Sequence, residues 1–374
     1  MMLACGAEPS IRCDLFCAVV DHFGDAGVCW RLARALTARG WQVRMWIDDP
    51  EPLRALAPGA QPGTTWQGVH IEHWREGGLQ EVEVADVVIE AFACELPAAY
   101  LGAMAARVPA PLWLNLEYLS AEAWVDACHG LPSPHPRLPL VKHFFFPGFT
   151  PATGGLLGDF AGDAEVCSED AALTVSLFCY DNDQLPDLLD AWAADRQGVH
   201  CRVCAGGPAR QVEHWLGAPL VIGRPVQRGG VQLQALPFLP QEDYDRLLTR
   251  CALNFVRGED SFVRAQWAAR PLIWQAYPQA DGAHFAKLDA FLGRYCVGLD
   301  ATPAQVLRRF NGIWNGRGGP LDWPALRTAL PALAGHAAHW SATLRAAGDL
   351  ADKLVSFCRA KLKSRPFFQQ AEAR

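Results

Sequence analysis

The 374-residue sequence lacks the long apolar runs of a membrane protein, with no stretch of roughly 18 consecutive apolar residues. The opening residues 1–12 lack a basic segment leading into an apolar one, so no export signal is expected and the chain reads as soluble and cytoplasmic. Positive charge is also scarce: 33 Lys and Arg against 40 Asp and Glu leave a net charge of -7. That argues against a partner bound through its phosphate backbone, so nucleic acid is not expected as a partner, and the missing apolar runs leave no membrane expected either. No low-complexity tract and no repeat of roughly 20–50 residues occurs, which excludes solenoids and propellers. Paired metal-binding cysteines are missing too. The 13 cysteines sit mostly inside apolar segments and read as small buried hydrophobes of a reducing compartment. Cys201 and Cys204 form one Cys-x-x-Cys pair, with no second pair and no nearby histidines to complete a zinc site.

What is present is a well-patterned globular sequence, 51% hydrophobic and 20% charged, long enough for two domains. Short apolar or β-branched runs alternate with helical periodicity, the pattern of parallel sheets joined by crossover helices. In the first half the pattern predicts strands over 13–20, 42–47, 84–91 and 112–116, with a helix over 28–39. The stretch 131–151 holds six prolines, and Gly154-Gly155 and an acidic run over 159–170 follow. Such a stretch reads as unable to supply ladder hydrogen bonds, so a domain boundary is placed near it. The second half restarts with strands over 173–180, 199–205, 252–256 and 271–275 and helices over 184–194, 240–249 and 261–269. An amphipathic helix over 340–362 closes the pattern. The expected fold class is α/β: two doubly wound Rossmann-like domains, residues 1–160 and 161–374, with a cleft between them and the C-terminal helix packing back on the first. Ligands of such sheets bind beyond the carboxyl ends of the strands.

Two strand-to-helix turns carry the chemistry. The first, Asp21-His22-Phe23-Gly24-Asp25-Ala26-Gly27, puts two carboxylates on one short loop, with Gly24 and Gly27 expected to allow positive φ and close ligand approach. It lacks the G-x-G of a dinucleotide site, and carboxylates repel a pyrophosphate. Their natural partners are a proton, a hydroxyl, a metal or a guanidinium. The plainer alternative is a helix cap by Asp25, with Asp21 ending the strand. The second turn, Arg257-Gly258-Glu259-Asp260-Ser261, places a guanidinium beside a helix start that Asp260 or Ser261 could cap, a combination suited to a phosphate. Here the alternative is an ion pair of Arg257 with Glu259 or Asp260. Phe238 and Gln241, just before another helix, suit a nucleobase face and edge, against core packing for Phe238. Tyr180, at the end of the strand that opens the second half, is placed to reach a ligand. Asp181-Asn182-Asp183 has the D-x-D form of metal-dependent glycosyltransferases but reads better as a turn. His70 and His73 have no evident third ligand and read as a surface pair.

The segments 16–34 and 253–267, with 149–157 and 237–241, closely resemble the motifs of the EarP family of elongation factor P arginine rhamnosyltransferases. The resemblance implies a GT-B fold and transfer of rhamnose from dTDP-β-L-rhamnose to one arginine of elongation factor P. Inversion at the sugar, no metal and no cofactor beyond the co-substrate are implied with it. By motif, Asp21, Asp25 and Glu259 would be the essential acidic residues, while His22, Phe23, Gly24, Tyr180, Phe238, Gln241, Arg257, Gly258, Asp260 and Ser261 would line the donor. Asp181 stands where the family pattern leads one to expect Glu. Another GT-B transferase of different sugar or acceptor, and a non-catalytic nucleotide-sugar or protein-binding module, remain as alternatives.

Overall fold

The computed structural model describes residues 10–21, 23–75, 79, 82–162 and 172–364. The chain divides into two compact units. The first comprises Met1–Leu119, Asp126–Asp159 and Gly348–Arg374, the second Ser120–Val125 and Phe160–Ala347.

In the first unit, strands β1 (Arg12–Cys17), β2 (Gln42–Ile47), β3 (Thr64–Trp66), β4 (Val69–His73), β5 (Val87–Ala91), β6 (Leu112–Leu116), β7 (Pro132–Pro134) and β8 (Val141–Phe145) form one sheet ordered β3-β4-β2-β1-β5-β6-β8-β7. All pairings are parallel except those of the two edge strands, β3 and β7. The central strands are apolar on both faces because both faces are covered. One face packs Leu15, Ile89 and Leu114 against helix α1 (Phe23–Ala38) and, from the far end of the chain, helix α12 (Leu350–Lys363) through Leu354 and Cys358. The other face packs Phe16, Trp46, Val88 and Trp113 with Tyr100 and Met104 of helix α3 (Ala98–Ala106). Helices α2 (Glu51–Leu56) and α4 (Trp124–Cys128) complete the first half.

The second unit has a sheet of β9 (Leu173–Leu177), β10 (Val199–Val203), β11 (Val226–Arg228), β12 (Val231–Ala235), β13 (Leu253–Arg257) and β14 (Leu272–Gln275), ordered β11-β12-β10-β9-β13-β14. Among the described residues only the edge strand β11 is antiparallel. Its helices are α5 (Leu185–Ala193), α6 (Gly207–Leu216), α7 (Gln241–Arg250), α8 (Asp260–Trp267), α9 (Ala283–Tyr295), α10 (Ala301–Trp314) and α11 (Trp323–Ala346). The buried faces of α10 are tied to β14 by amides: Asn311 Oδ1 accepts from Trp274 N at 2.9 Å and Asn315 Oδ1 from Ala276 N at 2.9 Å.

Two expectations are corrected. The proline-rich stretch does supply ladder bonds: β8 pairs in parallel with β6, and the prolines of β7 fall on the sheet edge, where a missing N–H costs nothing. The closing helix is two helices, broken at Gly348, whose φ of 92° favours glycine, before Asp349 caps α12 through the amides of Ala351 and Asp352. The segment around Gly154-Gly155 receives that turn. Leu156 bridges Asp349, the Gly158 amide donates to Asp349 Oδ2 at 2.7 Å, and Lys353 Nζ donates to the Thr153 carbonyl at 3.1 Å. A Cβ on Gly155 would come within 2.8 Å of the Gly348 carbonyl, so close backbone approach fixes that glycine. The 149–157 motif therefore serves the architecture of the first unit.

Candidate functional site

Each sheet reverses its strand order beside its own first strand, between β1 and β5 in the first unit and between β9 and β13 in the second. Such a reversal opens a crevice at the carboxyl ends of the two strands. The Asp21 loop leaves β1 and the Arg257 turn leaves β13, so topology alone puts both candidate loops at these reversals.

In the first unit α1 starts five residues earlier than its periodicity predicts, at Phe23, because the loop itself nucleates it. Asp25 is 2% exposed and reaches back: its Oδ2 accepts from the amides of Val20 and Asp21, both at 2.8 Å. These two bonds hold the loop in one shape. The Tyr118 hydroxyl donates to Asp25 Oδ1 at 3.2 Å. Asp21 is half-buried, its carbonyl accepting from the Gly24 amide at 2.5 Å. Gly24 and Gly27 do not need positive φ. What Gly24 provides is room: a Cβ there would lie 2.7 Å from Asp21 Oδ2, so the Asp21 carboxylate lies directly over it. His22 falls outside the described residues.

Beside this loop the backbone after β5 is strained, with Phe92, Ala93 and Glu95 at φ 58°, 54° and 46°. Each such non-glycine residue costs about 1–3 kcal/mol. The Phe92 ring stacks on Tyr118 at 4.2 Å and 12°. Two carboxyls lie nearby on β5 and past β6. Burial pushes Glu90 up, opposed by Lys142, with which it pairs at 2.5 Å. Burial likewise pushes Glu117 up, again opposed by Lys142. Sequence reading passed over Tyr118, Glu90 and Glu117, although Asn115-Leu116-Glu117-Tyr118 is another polar exit from a buried strand.

In the second unit the β13–α8 turn is built around Gly258, whose φ of 61° favours glycine. Trp274 Nε1 donates to its carbonyl at 2.8 Å and its amide donates to the Gln275 carbonyl at 3.0 Å. The Arg257 guanidinium lies over the rings of Tyr180 at 4.2 Å and Phe178 at 4.6 Å, which orient it. Neither Asp260 nor Ser261 caps α8: Glu259 occupies the cap position with no side-chain cap bond, and the Ser261 hydroxyl instead bonds the Arg257 backbone, accepting from its amide at 3.0 Å and donating to its carbonyl. Tyr180 is fixed by its amide, which donates to Gln275 Oε1 at 2.9 Å, and by an edge contact with Tyr277. Phe238 is 40% exposed, so it does not pack in the core, while Gln241 is buried at the start of α7. Tyr244 of α7 contacts Phe178 edge-on at 5.7 Å, which ties that helix to the floor under Arg257.

The remaining candidates resolve into structure. Asn182 Oδ1 accepts from the Gln184 amide and its Nδ2 donates to the Trp314 carbonyl, both at 2.9 Å, so Asp181-Asn182-Asp183 is a turn. His70 and His73 stand at odd spacing on β4 and so point to opposite faces; His70 pairs with Glu72 and His73 with the Asp48 carbonyl. Cys201 and Cys204 are free and buried, the Cys204 thiol pushed up to about 12 by burial. Among the described residues no group of three or more His, Cys, Asp or Glu is placed to hold a metal ion, and no helix is long and apolar enough to cross a membrane.

Comparison with known proteins identifies the family. Residues 13–165 and 160–359 match the family described as Elongation-Factor P (EF-P) rhamnosyltransferase EarP. A protein-arginine rhamnosyltransferase of Pseudomonas putida is 48% identical, covering 93% of this chain and 99% of that protein. One of Pseudomonas aeruginosa is 45% identical, covering 92% and 98%. The solved structure that gives the structural basis for EarP-mediated arginine glycosylation of translation elongation factor EF-P superposes with a TM-score of 0.64 at 34% identity, covering 94% of this chain and 99% of that one. At 11% identity, Arabidopsis thaliana UGT89C1 complexed with UDP shares the fold with a TM-score of 0.53 over 94% of this chain and 99% of that one. The two parallel-rich sheets are those of a GT-B glycosyltransferase, and the chain belongs to the EarP family of EF-P rhamnosyltransferases.

Proposed function

We propose that this chain transfers L-rhamnose from dTDP-β-L-rhamnose to an arginine side chain of elongation factor P, with inversion at the anomeric carbon. The observation that carries this reading is the pairing of an acidic loop at one strand reversal with an arginine-glycine turn at the other, in a member of this family. A guanidinium is a very poor nucleophile, because its lone pairs are delocalised and it stays protonated in water. Asp21 and Asp25 accept its N–H groups, hold its plane and take up a proton as the nitrogen attacks. The new N–C bond forms opposite the breaking C–O bond, which turns the β-linked donor into an α-linked product. The departing diphosphate collects negative charge at Arg257 and the uncapped start of α8, so the chain itself supplies the electrostatic role a divalent cation fills elsewhere. Phe238 offers its exposed face to the thymine, Gln241 its edge, and Tyr180, Gly258, Asp260 and Ser261 line the sugar diphosphate. Glu259 orients the sugar or the incoming guanidinium.

The test is direct. Purified protein is mixed with dTDP-β-L-rhamnose and elongation factor P, and the acceptor is digested and mapped by mass spectrometry. One added deoxyhexose on a single arginine is expected; an unmodified acceptor, or sugar on another residue type, refutes the assignment.

A further inference from the structure

We infer that Tyr118 is a positioning residue for the reaction, holding the Asp25 carboxylate in the orientation that receives the acceptor guanidinium. This deepens the activity proposed above and rests on it. Asp25 Oδ2 is fully occupied by two backbone amides, at 2.8 Å each, so only Oδ1 can turn toward a substrate. The Tyr118 hydroxyl is the donor on that second oxygen. It is also the longest of the three bonds, at 3.2 Å, and belongs to a ring that remains 37% exposed, whereas Asp25 is 2% exposed. Tyr118 is therefore the member of the arrangement that stands between the buried carboxylate and an arriving ligand.

The fold makes an unusual effort to keep that ring in place. Phe92 stacks beneath it, in a left-handed backbone that a phenylalanine adopts only under constraint. The constraint is visible. Phe92 N donates to the Leu116 carbonyl at 2.7 Å, the Ala93 amide to Asn115 Oδ1 at 3.0 Å, and the Glu117 amide to the Phe145 carbonyl at 3.0 Å. These bonds tie the exits of β5, β6 and β8 into one frame. The strand order β1-β5-β6 sets that frame beside the Asp25 loop, although Tyr118 lies 93 residues further along the chain. A tyrosine that served packing alone would have no need of a hydroxyl aimed at the free oxygen of an otherwise saturated carboxylate.

The decisive variant is Tyr118→Phe, which keeps the stack on Phe92 and removes only the hydroxyl. We expect kcat to fall about tenfold, the equivalent of one lost hydrogen bond of about 1.4 kcal/mol, with KM for both substrates and donor affinity by calorimetry near wild type. Phe92→Leu, which keeps the hydroxyl but loosens its ring, should fall between wild type and Tyr118→Phe. In an Asp25→Asn background, where residual transfer is followed by mass spectrometry over long incubation, Tyr118→Phe should cost little more, because coupled residues do not add. An unchanged kcat in Tyr118→Phe, an effect confined to KM, or full additivity with Asp25→Asn overturns the inference. Wild-type protein assayed in parallel separates the cases: if it transfers no rhamnose, the proposed activity itself fails, and the positioning role falls with it.

Discussion

The two units use one topology for opposite charges. In the first, the order β4-β2-β1-β5-β6-β8 reverses between β1 and β5; in the second, β12-β10-β9-β13-β14 reverses between β9 and β13. The first reversal carries Asp21 and Asp25, the second Arg257 on a glycine turn. Their supports differ accordingly. Asp25 is gripped by hydrogen bonds from amides and a phenol, which hold a buried carboxylate still. Arg257 lies against aromatic faces, which fix the plane of its guanidinium. The lesson is that a shared crevice geometry says little about ligand charge, whereas the manner in which a side chain is supported says a good deal.

If the first reversal is the acceptor side, Asp21→Asn and Asp25→Asn should each lower transfer by roughly 10²–10⁴-fold while leaving dTDP-rhamnose affinity within about twofold. Calorimetry and a product assay on the same preparations separate the two quantities, and a parallel loss of donor affinity would erase the division of labour. The variants should differ in stability. Asp25→Asn gives up part of its grip on the loop and should lose about 1–2 kcal/mol in urea unfolding, with Asp21→Asn close to wild type.

On the donor side Arg257→Lys keeps the charge but not the planar fork or the stacking on Tyr180 and Phe178. It should weaken dTDP-rhamnose binding about tenfold by calorimetry. Wild-type affinity in this variant would show that a point charge suffices and that the aromatic floor is incidental.

The smallest effect concerns Glu117, whose carboxyl burial pushes up against the pull of Lys142. A carboxyl raised in the folded state keeps its proton longer there than in the unfolded chain. Its contribution is thus lost as pH rises from the unfolded value, about 4.3, through the folded one. Glu117→Gln should flatten the decline of Tm across that interval, read from melts at successive pH values. A steeper decline would mean that the Glu117 charge itself stabilises the fold.

Much of this was legible before the fold was in hand, and the reasons for the exceptions are specific. Strand-to-helix turns announce themselves through local spacing, so the Asp21 and Arg257 loops stood out at once. Gly24 was legible as special but for a different reason than backbone angle, because the need arises from where the Asp21 carboxylate lies. Tyr118 could not be connected to Asp25 from spacing, since only the strand order joins them. The prolines of β7 misled because their cost depends on whether a strand is central or at an edge, which a sequence does not state. The helix after Gly348 looked continuous with its predecessor because apolar periodicity runs across the break; the cap at Asp349 was the missed signal.

The docking of α12 has a consequence for how the molecule comes into being. Leu350, Leu354 and Cys358 complete the core that β1 and α1 begin, so the unit that starts the chain lacks part of its interior until the ribosome has made the whole of the second. The second unit is nearly continuous in sequence and can collapse while synthesis proceeds, N-terminal segments waiting on it. The acidic loop would thus reach its final packing last, after the turn that carries Arg257.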